Sequence, residues 1–161
     1  MSDPRGPTYR ERLFAPGPVA VPNDVLAALA LPVVHHRTEA FRALYLRVRA
    51  DLAEIVGVPG DDVMLLTGSG TSAFESALLA AVPAGGRVVA LRGGKFGDRW
   101  AAMARAFGYQ VAEIGVPWGR TFDPDEVADR VARGPAPDAV TLVHSETSTG
   151  VLHDVAGLAR A

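Results

Sequence analysis

The sequence contains no cysteine. That excludes disulfides, thiolate metal sites and a cysteine nucleophile, and it is compatible with a cytoplasmic location. There is a single lysine, Lys95; the rest of its 16 Lys and Arg residues are arginines. No run approaches the roughly 18 apolar residues of a membrane span. The polar, proline-containing start, Met1 to Tyr9, lacks the apolar stretch of a signal peptide. A net charge of −2 leaves no broad basic field to attract nucleic acid or anionic membrane. Histidines are few, and neither His35 with His36 nor His144 with His153 has helical ligand spacing, so no metal site is expected.

What is present suits a folded protein. Of 161 residues, 48% are hydrophobic and 21% charged, enough for one domain with a sizeable core. Residues 1–14 read as a mobile arm, ended by the rigid turn Pro16-Gly17-Pro18. Pro22 to Ala30 predicts a short helix. A long helix follows over about Glu39 to Val56, because Phe41, Leu44, Tyr45, Val48, Leu52 and Ile55 recur at helical spacing. Its charged face reads as a solvated surface.

From residue 60 strands and helices alternate. Val63–Leu66, Arg87–Leu91, Gln110–Ile114 and Ala139–Val143 are apolar runs suited to buried strands. Thr71–Val82, Gly97–Phe107 and Asp123–Arg133 read as helices between them, and another begins at Asp154. Asp123 as cap, Pro124 at the first position and Glu126 three after the cap mark one helix start. The expected fold is therefore α/β, an N-terminal arm and helices followed by part of a mostly parallel sheet covered by helices. The last helix has barely two turns, no capping glycine and no following strand. Residues 15–161 are accordingly read as an incomplete domain, a fragment or a truncated product.

The sharpest feature is the strand-to-helix loop Thr67-Gly68-Ser69-Gly70-Thr71. Glycines let backbone amides approach a ligand closely, hydroxyls add donors, and a helix start carries about half a positive charge, so a phosphate suits it. Three readings compete. Ser72 and Glu75 have capping-box spacing, so part of the loop needs no ligand. Gly68-x-Gly70-x-x-Ala73 fits a dinucleotide fingerprint, which also wants an acidic residue about 20 positions on. Arg92 stands there, which suits only a phosphorylated dinucleotide, as in an NADP-binding oxidoreductase. The third reading is a single phosphate on a cofactor such as pyridoxal phosphate.

Two more loops should lie on the same edge, since parallel sheets build sites at strand carboxyl ends. They are Gly93-Gly94-Lys95-Phe96-Gly97-Asp98-Arg99 and His144-Ser145-Glu146-Thr147-Ser148-Thr149-Gly150. Phe96 in its glycine-rich stretch reads as a stacking ring or a core contact. A Ser145–His144–Glu146 triad is a poor reading, because adjacent strand residues point to opposite faces.

Taken in order, Phe14 to Pro18, His35 to Thr38 with Phe41, Thr67 to Thr71 with Glu75, Gly94 to Gly97 with Arg99, and Glu146 to Gly150 resemble the class V aminotransferases. The resemblance is closest to the alanine–glyoxylate and serine–pyruvate (serine–glyoxylate) branch, and it runs from Leu13 to Ala161. It implies a fold-type I pyridoxal-phosphate transferase working as a homodimer. It also implies transamination between alanine or serine and a small 2-oxo acid, glyoxylate or pyruvate. By that resemblance Ser69, Gly70 and Thr71 hold the cofactor phosphate, Phe96 stacks on the pyridine ring, Thr147 contacts the ring, and Gly17 lies near the substrate carboxylate. The Schiff-base lysine, the aspartate that pairs with the pyridine nitrogen and the substrate-binding arginine are expected beyond Ala161. Lys95 stands on the wrong loop to replace that lysine, so this chain alone is expected to be inactive. A non-catalytic truncated protein of the same fold remains an alternative.

Overall fold

A computed structural model describes residues 14–161. The arm read over residues 1–14 lies, up to residue 13, outside the described residues. The chain divides into two compact units, one ending at Thr67 and the other comprising Gly68–Ala161.

The first unit holds helices α1 (Asn23–Leu29) and α2 (Glu39–Val56) and a 3-10 turn at Gly60–Asp62. Helix α2 starts where the Thr38 side chain accepts a hydrogen bond from the Phe41 amide, and it ends at Gly57, whose φ of 71° is left-handed. Arg49 ties the helix to the following turn by donating to the Gly60 carbonyl at 2.7 Å. The run Val63–Leu66 forms no strand. It finds no neighbouring strand to pair with, and Met64 and Leu66 are exposed. An apolar run favours burial but carries no information about a ladder partner, which is why the sequence reading fails here.

The second unit is a three-layer α/β arrangement. Its elements are α3 (Gly70–Ala81), β1 (Arg87–Arg92), α4 (Lys95–Ala106), β2 (Gln110–Gly115), α5 (Pro124–Ala132), β3 (Ala139–Thr141), β4 (Ser145–Glu146), β5 (Val151–Leu152) and α6 (Val155–Arg160). Strands β2-β1-β3 form a parallel sheet with β1 in the centre, Val88 facing Val111 on one side and Ala139 on the other. Strand β1 is buried on both faces, as its apolar run Val88 to Leu91 predicts. Val88 packs with Leu78, Val82, Ala104 and Tyr109, under α3 and α4. Val89 and Leu91 pack with Ile114, Phe122 and Val127, under α5. The chain steps one way from β1 to β2 and the other way to β3, and it changes face as it does so, as right-handed crossovers require.

Strand β3 is shorter than its apolar run, and the polar segment after it forms an antiparallel β4–β5 hairpin that the sequence reading lacks. Helix α5 starts as expected: Asp123 accepts from the amides of Asp125 and Glu126 at 2.9 and 3.1 Å, with Pro124 in the first turn. Among the described residues no helix is long and apolar enough to cross a membrane.

Candidate functional site

Helix α3 opens from the glycine loop. Its cap is Ser69, whose Oγ accepts from the Ser72 amide at 3.2 Å. The capping box read from Ser72 and Glu75 is thus corrected. A hydroxyl sits at both positions, and only the backbone geometry selects between them. The first helical hydrogen bond is Ala73 N–H to the Ser69 carbonyl, 3.1 Å. The N–H groups of Gly70 and Thr71 precede it and have no acceptor within the helix. No acidic residue lies in this first turn. Nothing approaches within 4 Å of where a Gly70 Cβ would stand. A helix start with free amides and no local carboxylate favours an anion.

Arg99 adds charge to that place. Its guanidinium donates to Thr71 Oγ1 at 3.3 Å and lies 4.9 Å from the centre of the Phe96 ring. Phe96 itself is half-buried in the first turn of α4. The structure therefore brings Thr71 and Phe96 together through one arginine. Sequence reasoning gave Arg99 no role, although its place three residues after Phe96 in a helix puts both on one face.

Helix α4 starts differently. Its early amides are already taken by the loop 145–150. Lys95 N–H donates to Ser148 Oγ at 2.9 Å. Phe96 N–H and Gly97 N–H donate to Glu146 Oε2 at 3.2 and 3.1 Å. The other oxygen, Oε1, accepts from the Ser148 amide at 3.2 Å and the Ser148 hydroxyl at 2.6 Å. Glu146 is fully buried. Burial alone pushes its carboxyl up, but the hydrogen bonds from the Ser148 side chain and from the amides of Gly97, Ser148 and Phe96 outweigh that and hold it below its ordinary value. The approach is close because Gly94 lacks a side chain: a Cβ there would stand 2.5 Å from Glu146 Cγ. Thr147 lies exposed between the two residues that make these bonds.

Gly17 belongs to the first unit, in an exposed bend with nothing within 4 Å of its Cβ position. Arg92, needed for a phosphorylated dinucleotide, is engaged at 2.6 Å by Asp98 and also by Glu113. Glu113 pairs with Arg105 as well. Behind the loops, buried His153 packs on Phe122 with ring centres 4.9 Å apart, and its Nδ1 has no hydrogen-bond partner. Burial lowers its basicity, the Glu146 charge works against that, and His144 adds to the lowering. On the α5 face of the sheet, an apolar cavity of about 480 Å³ is lined by Leu91, Val127, Val131, Val140, Leu142 and Leu158. It offers no converging polar groups.

Residues 23–161 match the family described as Aminotransferase class-V. A relative from Anabaena cylindrica named soluble hydrogenase 42 kDa subunit is 36% identical over 148 residues, covering 91% of this chain and 38% of that protein. The solved alanine–glyoxylate aminotransferase from Nostoc sp. superposes with a TM-score of 0.81 at 32% identity, covering 91% of this chain and 39% of that one. A solved aspartate aminotransferase of subgroup IV from Thermus thermophilus gives 0.77 at 40% identity, covering 93% of this chain and 41% of that one. The chain thus spans well under half the length of these relatives.

Proposed function

The chain belongs to the class V aminotransferases, and from that premise we propose that its glycine loop is the phosphate cradle of a pyridoxal-phosphate site in an enzyme that moves an amino group from an amino acid to a 2-oxo acid. The observation that carries the reading is the opening of α3. There the free amides of Gly70 and Thr71 stand beside the Ser69 and Thr71 hydroxyls and the Arg99 guanidinium, with the Phe96 ring against the same arginine. A dianionic phosphate fits that donor set, and an aromatic face beside it suits a planar ring. Bound there, the cofactor supplies an electron sink for bond changes at the amino acid's α-carbon.

This chain's residues bind and orient. Ser69, Gly70 and Thr71 hold the phosphate, Phe96 covers the ring, and Thr147 offers a hydroxyl to it. Gly17 is assigned to the substrate carboxylate on the family resemblance. Lys95, the single lysine, starts α4 with its amide on Ser148, and the reading gives it no bond to the cofactor. The lysine that carries the cofactor in this family is assigned outside residues 1–161.

For the donor we propose alanine or serine, and for the acceptor glyoxylate or pyruvate; the name of the Nostoc structure supports the pair alanine and glyoxylate. A homodimer belongs to the same proposal. The complete gene product should bind pyridoxal phosphate saturably, seen by absorbance, and should form glycine from glyoxylate when given alanine or serine. Saturable binding with transfer from aspartate alone would replace the donor. No binding would remove the reading.

A further inference from the structure

Two residues assigned to the cofactor, Phe96 in the first turn of α4 and Thr147 in the loop after β4, lie about fifty positions apart in sequence, and one buried carboxylate joins them. Glu146 holds the Gly97 amide with Oε2, the amide and hydroxyl of Ser148 with Oε1, and the Phe96 amide with both, at 3.2 Å to Oε2 and 3.4 Å to Oε1. Ser148 Oγ in turn accepts from the Lys95 amide. Both neighbours of the Thr147 backbone and both neighbours of the Phe96 backbone are therefore fixed by the same set of bonds.

We propose that Glu146 is a positioning residue. Its carboxylate locks the ring-covering Phe96 and the Thr147 hydroxyl into one frame. This rests on the pyridoxal-phosphate reading above. The chemistry asks for a carboxylate rather than an amide. All four groups that reach Glu146 are donors, and an ionised carboxylate offers acceptors only. Glutamine would bring its own NH₂ against donors on one side or the other. Aspartate, one methylene shorter, would not span both loops. The glycine at position 94 is part of the device, since a Cβ there would stand 2.5 Å from Glu146 Cγ and 2.6 Å from Ser148 Oγ. Glu146 touches no atom of the α3 cradle among its hydrogen bonds, so it should govern the ring and not the phosphate.

That separation gives the test. The complete gene product and its Glu146→Gln variant are titrated with pyridoxal phosphate and, separately, with inorganic phosphate. Amide hydrogen exchange is followed at Phe96, Gly97 and Ser148. The expected result is pyridoxal-phosphate affinity weakened about tenfold or more, with faster exchange at the three amides. Inorganic-phosphate affinity should be unchanged. Ser148→Ala keeps the carboxylate and its α4 amides and should give a smaller shift in the same direction, so it serves if the glutamine variant does not fold. Equal loss of both affinities, or no loss of either, would overturn the positioning role. If the unaltered protein binds inorganic phosphate but not pyridoxal phosphate, the cofactor reading falls and this role falls with it.

Discussion

Phe74 of α3 and Trp100 of α4 stack with ring centres 4.1 Å apart and planes 7° from parallel. The stack lies one turn inside the helix starts that carry the glycine loop and Phe96, so it sets how those two starts face each other. Phe74→Ala should lower unfolding free energy by about 2–3 kcal/mol, just below the range for losing a fully buried large aromatic because the ring is only half-buried. Urea unfolding followed by tryptophan emission measures it, and a loss under about 0.5 kcal/mol would contradict the packing described.

Gly70 and Gly94 should respond oppositely to alanine. At Gly94 the new methyl would collide with Glu146 and Ser148, costing about 1–3 kcal/mol. At Gly70 nothing lies within 4 Å, and the residue is helical, so stability should stay level or rise by up to about 1 kcal/mol. Binding should be reversed: Gly70→Ala narrows the approach to the free amides and weakens phosphate binding. Thermal unfolding and phosphate titration of the two variants check both halves.

Arg99→Met keeps the stem and removes the charge. It should weaken phosphate binding several-fold at low salt, and the difference from the unaltered protein should shrink as salt screens the guanidinium. Isothermal titration at two ionic strengths decides it; a salt-independent difference would assign Arg99 a packing role instead.

Acid should destabilise the second unit in two stages. His153 is less basic in the folded protein, so below about pH 6.5 the unfolded chain takes up a proton that the folded one refuses, and stability falls with pH. Glu146 is more acidic when folded, so its contribution is full above about pH 4.3 and is lost as pH falls further through its folded value. His153→Phe should flatten the first stage and leave the second. Urea midpoints across pH 7 to 3 would show whether the slope near pH 6 survives the substitution.

The sheet and its helices were legible because their signals are local. Four apolar residues in a row announce β1, and Asp123 with Pro124 announces α5. The failures were matters of partnership. Val63–Leu66 has the composition of β1 without a neighbour to pair with, and the β4–β5 hairpin is built from two-residue strands too short for any period. In the site, the glycine loop was legible from glycines and hydroxyls. The bonds of Glu146 to Phe96 and Gly97 were not, because nothing in one segment encodes a contact with another about fifty residues away. Arg99 fell between: its spacing from Phe96 was readable, its reach to Thr71 was not.

The two helix starts beside Arg99 differ in vacancy. The tethered carboxylate of Glu146 already occupies the α4 start through the Phe96 and Gly97 amides. Only the α3 start remains open to competition from solution. On the proposed reading, the second unit should therefore take one small anion at this edge rather than two, because an intramolecular counter-ion already fills the α4 start.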